Sequence, residues 1–111
     1  MGNRKMISAL KVAPKARLKG IQPEMAPAFS VVPAVFALFG YDCWLTCAVE
    51  PRSKGLHPKG LALDFDSSSN IPIETGESIA AEVKGYLGMD FDCPWHGPKF
   101  HLHVEFDPKE R

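Results

Sequence analysis

Residues 100–106 read Phe100-His101-Leu102-His103-Val104-Glu105-Phe106. Apolar and polar residues alternate strictly, and successive side chains of a strand point to opposite faces. The segment therefore predicts a strand with two unlike faces. Phe100, Leu102, Val104 and Phe106 form an apolar side fit for a core. His101, His103 and Glu105 form a polar side equipped for chemistry.

Working outward, Leu61 to Phe65 predicts a second, buried strand, in which Asp64 is flanked by Leu63 and Phe65. Trp44 to Val49 predicts a third strand. Phe91 to Trp95 reads as a short extended piece, followed by a turn at His96-Gly97-Pro98. Pro23-Glu24 can open a helix, with Ala26, Phe29, Val32, Val35, Phe36 and Phe39 inward and Gly40 as its stop. Pro27 and Pro33 would lie inside it, so two shorter helical pieces are the alternative. A further helix is expected from Thr75 or Gly76, with Ile79, Ala80, Val83 and Leu87 on its apolar face and Gly88 at its end. The order implies an α+β domain with a small, mainly antiparallel sheet and flanking helices.

The 111 residues fit one small domain, and a 45% hydrophobic content supports one modest core. A bound metal would add useful stability to such a chain. Thirteen basic residues balance thirteen acidic ones, which gives no sign of a nucleic-acid surface. Six Lys and Arg side chains fall in the first twenty positions. Residues 1–22 are therefore read as a solvated, partly mobile basic segment, with the domain at 23–111. Met6 to Val12 is too short for a secretory signal, and Ala28 to Phe39, broken by Pro33, is too short to span a bilayer. Met1-Gly2 lacks the Ser or Thr at position 6 that a myristoylation site carries. A soluble protein made in the cytoplasm is expected. The three cysteines, Cys43, Cys47 and Cys93, are an odd number and argue against a disulfide framework. Cys43 and Cys47 have the same parity and would share a face of one strand, as buried thiols.

All four histidines lie in two short segments. The first runs from Arg52 to Asp64 and holds His57; the second runs from His96 to Glu105 and holds His96, His101 and His103. A carboxylate inside the apolar strand at Asp64 is costly unless paired, hydrogen-bonded or metal-bound. Gly60 lets the chain turn back, so that His57 and Asp64 can point at one place. His101 and His103 project from one strand face with Cβ atoms roughly 7 Å apart, two residue rises. Two His and an Asp suit zinc, and three protein ligands leave a fourth position for water. A His-x-His pair alone reads more readily as exposed polar residues, and a lone strand Asp as a capped or salt-bridged one; the combination is the specific signal.

Gly55-x-His57-x-x-Gly60-x-Ala62-x-Asp64 resembles the first motif of the D-alanyl-D-alanine carboxypeptidase and phage endolysin zinc metallopeptidases. His101-x-His103 resembles the second motif of the wider group that includes lysostaphin-type peptidases and hedgehog domains. The likeness spans roughly Trp44 to Pro108. It implies a hedgehog/D-Ala-D-Ala-peptidase-like fold, with zinc held by His57, Asp64 and His103. It also implies hydrolysis of an amide bond in peptidoglycan stem peptides. The family's catalytic Glu, a few residues before the last zinc His, is missing: Phe100 stands three before His103 and Gly97 six before. His96 is then the candidate base, His101 the group that steadies the oxyanion or the water, and Glu105 a support for a ligand. Arg52 reads either as a substrate-binding Arg or as a surface residue. Trp95 adjoins His96 and could line the cleft; Lys54, Lys59 and Lys99 could ring it. The resemblance implies a phage setting, in lysis or wall penetration, free or virion-associated. The alternative of another class is a zinc-stabilised binding or structural module without catalysis, as hedgehog domains exemplify.

Overall fold

A computed structural model of the chain describes residues 10–96 and 101–108. Among the described residues, six strands and two α-helices form an α+β fold with a mixed sheet. The strands are β1 (Leu10–Val12), β2 (Cys43–Cys47), β3 (Ala62–Asp66), β4 (Phe91–Asp92), β5 (Trp95–His96) and β6 (His101–Phe106). The helices are α1 (Ala28–Leu38) and α2 (Ile73–Leu87). The sheet order is β1-β2-β3-β6-β4, with β5 also paired to β6. The β1–β2 pair is parallel, and the other four pairs are antiparallel.

The helices share a core with one face of this sheet. Val32, Val35 and Phe36 of α1 and Ile79 and Val83 of α2 cluster with Leu45, Leu63, Phe65, Leu102 and Val104. That is the apolar side of the alternation in β3 and β6. The polar side of the same strands faces away from the helices. No helix among the described residues is long and apolar enough to cross a membrane.

The predicted helix from Pro23 is two pieces. Pro23–Met25 is a single 3₁₀ turn, Pro27 caps α1, and Pro33 lies inside α1 with its ring buried in the core. Pro33 has no N–H to give to the carbonyl four residues back, and the burial of its ring offsets that loss. The second helix begins at Ile73, two residues before the earliest expected start. The Gly76 N–H bonds the Pro72 carbonyl and closes its first turn. Within that turn Gly76 is required: a Cβ would lie 2.1 Å from the Trp95 ring.

The boundary expected at residue 22 is corrected. Leu10–Val12 pairs with Cys43–Leu45 as an edge strand. Beyond it, the Ala13 N–H bonds Leu45 O, Val49 N–H bonds Arg17 O, and Gln22 N–H bonds Gly60 O. Residues 10–22 thus belong to the domain. They hold through backbone bonds and through Leu10, Ala16 and Ile21 packed against the core, apolar residues too irregularly spaced to form a strand or helix period. Residues 1–9 and the Gly97-Pro98 turn lie outside the described residues. Phe91 to Trp95 is not one extended piece: Cys93-Pro94 splits it into β4 and β5, which share the outer edge of β6.

Candidate metal centre

Three adjacent strands place a row of donors across the polar face of the sheet. Asp64 on β3 stands opposite His103 on β6, and opposite Cys47 on β2. The Asp64–His103 pairing follows from plain alternation. The Cys47 pairing does not. The β2–β3 register runs Trp44 to Asp66 and Leu45 to Phe65, then slips, so that Cys47 rather than Thr46 meets Asp64. This β-bulge inserts one residue and reverses the side of everything after it. Cys43 stays in the core with Leu45, while Cys47 turns to the polar face. The expectation that both cysteines share a face is therefore overturned, and Cys47 is a site residue that strand parity missed. No residue type in Cys43–Cys47 announces the slip.

His57 reaches the row from outside the sheet. It opens a 3₁₀ turn, His57–Lys59, that Gly60 ends in the left-handed region at φ 73°. A side chain there would be strained, and its Cβ would lie 1.9 Å from the Gly20 carbonyl oxygen. Gly60 therefore both turns the chain back into β3 and admits the N-terminal segment. The buried His57 ring is fixed by its Nδ1–H, which donates to the Ala48 carbonyl at 2.7 Å. That leaves Nε2 with its lone pair, 3.4 Å from Asp64 Oδ2. His103 Nδ1 lies 2.8 Å from the other oxygen, Oδ1, and His103 Nε2 lies 2.9 Å from Glu105 Oε1. His101 Nε2 is 3.7 Å from Asp64 Oδ1.

This arrangement concentrates acceptors. A neutral imidazole has one N–H and one lone pair. His57 spends its N–H on Ala48 and presents a lone pair to a carboxylate. His103 has a carboxylate at each nitrogen and can satisfy only one of them while neutral. Each ring needs a positive charge nearby, either a proton or a metal ion. Burial works against charging His57, but hydrogen bonds to Asp64 and Ala48 outweigh it and raise its pKa. Burial likewise opposes charging His103, and Asp64 and Glu105 overcome it. Burial pushes the Asp64 carboxyl up, but His103 and His57 hold it well below the usual carboxylate range. Burial raises the Cys47 thiol, and the charge of Asp64 adds to the effect.

The donor spacing suits a small cation. Ligands about 2.0–2.1 Å from a tetrahedral zinc lie roughly 3.3 Å from one another. His57 Nε2 lies at about that distance from Asp64 Oδ2, while His103 Nδ1 lies closer, 2.8 Å, to Asp64 Oδ1. Cys47, His57 and Asp64 each offer a ligand atom, all within 4.8 Å of one another. They form a group that could hold a metal ion; His103, hydrogen-bonded to Asp64, stands beside it.

The remaining site residues fall into two groups. His96 is not in a turn but ends β5, directly opposite His101. Its ring centroid lies 4.8 Å from that of His101 and 5.5 Å from that of His103. The His57 and His103 rings are 5.3 Å apart, edge to face. His57, His101 and His103 therefore gather around Asp64, and His96 lies beside the last two. Arg52, in contrast, is exposed on the loop before His57. Its backbone N–H bonds Glu50, and among the described residues its guanidinium makes no contact with the histidine cluster. Trp95 packs over α2 at Gly76. No family model, no curated protein and no solved structure matches the chain.

Proposed function

We propose that the chain is a zinc-dependent peptidase or amidase that hydrolyses peptidoglycan stem peptides, with zinc held by His57 Nε2, Asp64 and His103 Nδ1. One observation carries the reading: a ring nitrogen with its proton fixed elsewhere faces a carboxylate at 3.4 Å, beside a second imidazole held between two carboxylates. Such a cluster calls for a cation, and its donors are the borderline nitrogen and oxygen ligands that suit zinc. Zinc bound there would supply Lewis acidity toward a carbonyl oxygen and would acidify a bound water.

The chain's own residues do the rest. The Ala48 carbonyl and Glu105 carboxylate fix the orientation and tautomer of the two ligating rings. His96 takes the proton of the attacking water at a ring nitrogen and returns it to the leaving amine. His101, within 3.7 Å of Asp64 on the same face, donates from its ring to the developing oxyanion. Arg52, exposed on the loop that carries His57, anchors a substrate carboxylate. The motif resemblance supports peptidoglycan peptides as the substrate and a phage protein acting in lysis or wall penetration.

A second reading, a zinc-stabilised module without catalysis, is favoured by one observation. The two carboxylates that touch the ligand rings are engaged, Asp64 with His57 and His103 and Glu105 with His103, so neither is left to move protons. Metal analysis of the purified chain, followed by incubation with purified peptidoglycan and mass spectrometry of the released fragments, separates the two. The peptidase reading expects one zinc per chain and new peptide termini. It also expects His96→Ala to keep zinc and lose cleavage. Stoichiometric zinc with intact peptidoglycan would establish the second reading instead.

A further inference from the structure

The three donors grouped closely enough to hold a metal ion include a residue outside the proposed zinc triad. Cys47, His57 and Asp64 place ligand atoms within 4.8 Å of one another, and the Cys47 thiol lies against the His57 ring, its Sγ 3.7 Å from the Nδ1 that bonds Ala48. We propose that Cys47 is a fourth protein ligand of the metal, completing a Cys-His₂-Asp set. The inference rests on the metal centre proposed above and adds to it the occupant of its fourth position.

Three features of the chain point to this role. The bulge between Leu45 and Cys47 removes the thiol from the core and sets it opposite Asp64. Without the slip, Thr46 would occupy that place and the thiol would pack with Cys43 and Leu45. Thr46 instead spends its hydroxyl on the Asp64 carbonyl, 3.3 Å away, and so steadies the strand carrying the ligand. The row Cys47–Asp64–His103 then supplies one donor from each of three adjacent strands, and His57 closes over it from the turn. Bulges recur beside functional sites because they re-aim one side chain.

Ligation has a defined proton balance. The S–H bond breaks, a sulfur–metal bond forms, and one proton goes to solvent; the metal's charge drives the deprotonation. A sulfur in the fourth position also has a functional consequence. It fills the place that a reacting water needs, so hydrolysis at this centre requires the sulfur–metal bond to break, the thiolate to take a proton from solvent and a water to take its place.

Cobalt reads the sulfur directly. The full chain, stripped with a chelator, is titrated with Co²⁺ and followed by absorption. The wild type is expected to bind one Co²⁺ and to develop a sulfur-to-cobalt charge-transfer band in the near ultraviolet. Cys47→Ser should bind without that band and about tenfold more weakly or worse, since losing even an outer support of a ligand costs that much. Cys43→Ser and Cys93→Ser should keep the band. Cobalt bound by the wild type without the band would overturn ligation by Cys47 and leave the His-Asp-His centre standing. A wild type that binds no cobalt would overturn the metal centre itself. Should Cys47→Ser not fold, alkylation of the wild type decides. Iodoacetamide should modify Cys47, mapped by mass spectrometry, at least about tenfold more slowly with cobalt present. Equal rates would overturn the proposal.

Discussion

On β3 and β6, neighbouring residues live under different rules. Leu63, Phe65, Leu102 and Val104 point to the helices and are fully buried. Asp64, His101, His103 and Glu105, one position along in each case, point the other way and are only partly buried. The first set is held by removing apolar area from water, a non-directional force that tolerates substitutions of similar volume. The second set is held by point contacts of 2.8–3.7 Å between named atoms. One face therefore maintains the fold and the other the chemistry, although the same two strands supply both. The comparison makes a strong claim: each face can be damaged while the other survives.

The largest expected effect is on the polar face. His57→Ala and His103→Ala should each abolish stoichiometric zinc, measured by elemental analysis of the dialysed protein. Far-ultraviolet circular dichroism should stay that of the wild type, because neither ring belongs to the helix-packed core. Stoichiometric zinc in either variant would break the ligand assignment. A chain that unfolds on losing His103 would break the independence of the two faces.

The next effect belongs to the core face. Phe65 is fully buried among the helix and sheet side chains. Phe65→Ala should cost about 3–5 kcal/mol by lost transfer energy and the cavity left behind. Urea unfolding in the presence of chelator measures it, and the midpoint should fall. Metal stoichiometry of the folded fraction should be unchanged. A loss under about 1 kcal/mol would mean that the core face collapses around the gap and is less tightly packed than its burial implies.

This division explains what the sequence made legible. Alternation in residues 100–106 and 61–65 revealed both faces of β6 and β3, because period 2 follows from strand geometry alone. The histidine–aspartate convergence was legible because few residue types ligate metals and all four histidines fall in two segments. Cys47 was not legible: a bulge is set by how two backbones pair, and parity presumes that none occurs. Nor was β1, whose pairing with β2 uses main-chain groups that every residue type carries. Arg52 shows the opposite limit. Its position fits a motif, but where its guanidinium goes depends on the path of a loop.

A smaller effect tests the support beneath the polar face. Glu105 has its Oε1 2.9 Å from His103 Nε2 and so fixes the ring that points Nδ1 at Asp64. Glu105→Gln keeps the shape but removes the charge that makes the ring basic. Zinc affinity should fall about 10–100-fold, the usual cost of losing such a partner. Competition with a chelating dye measures it. Stability without metal should change by less than in Phe65→Ala. Unchanged affinity would reduce Glu105 to a bystander.

The smallest effect is a dependence on pH, and its sign differs between metal-free and metal-loaded protein. His57 and His103 have pKa values raised above 6.5 in the folded chain. Their contribution to stability is complete below the unfolded value and is lost as pH rises through the folded ones. Asp64 is lowered from 3.8, so its contribution is present above that pH and is lost as pH falls below it. Chelated protein should therefore be most stable between about pH 4 and 6.5 and should weaken toward pH 8. A change on the order of 1 kcal/mol would shift the melting temperature of a domain this size by about 4–8 °C. Zinc reverses the trend, because ligation needs the imidazoles deprotonated and strengthens as they lose their protons. Melting curves from pH 6 to 8, with chelator and with zinc, should diverge as pH rises. Phe65→Ala should lower both curves and leave their divergence, whereas His103→Ala should remove the divergence and leave the core. Chelated wild type whose melting temperature climbs from pH 6 to 8 would mean that protons on these rings do not hold the metal-free face together.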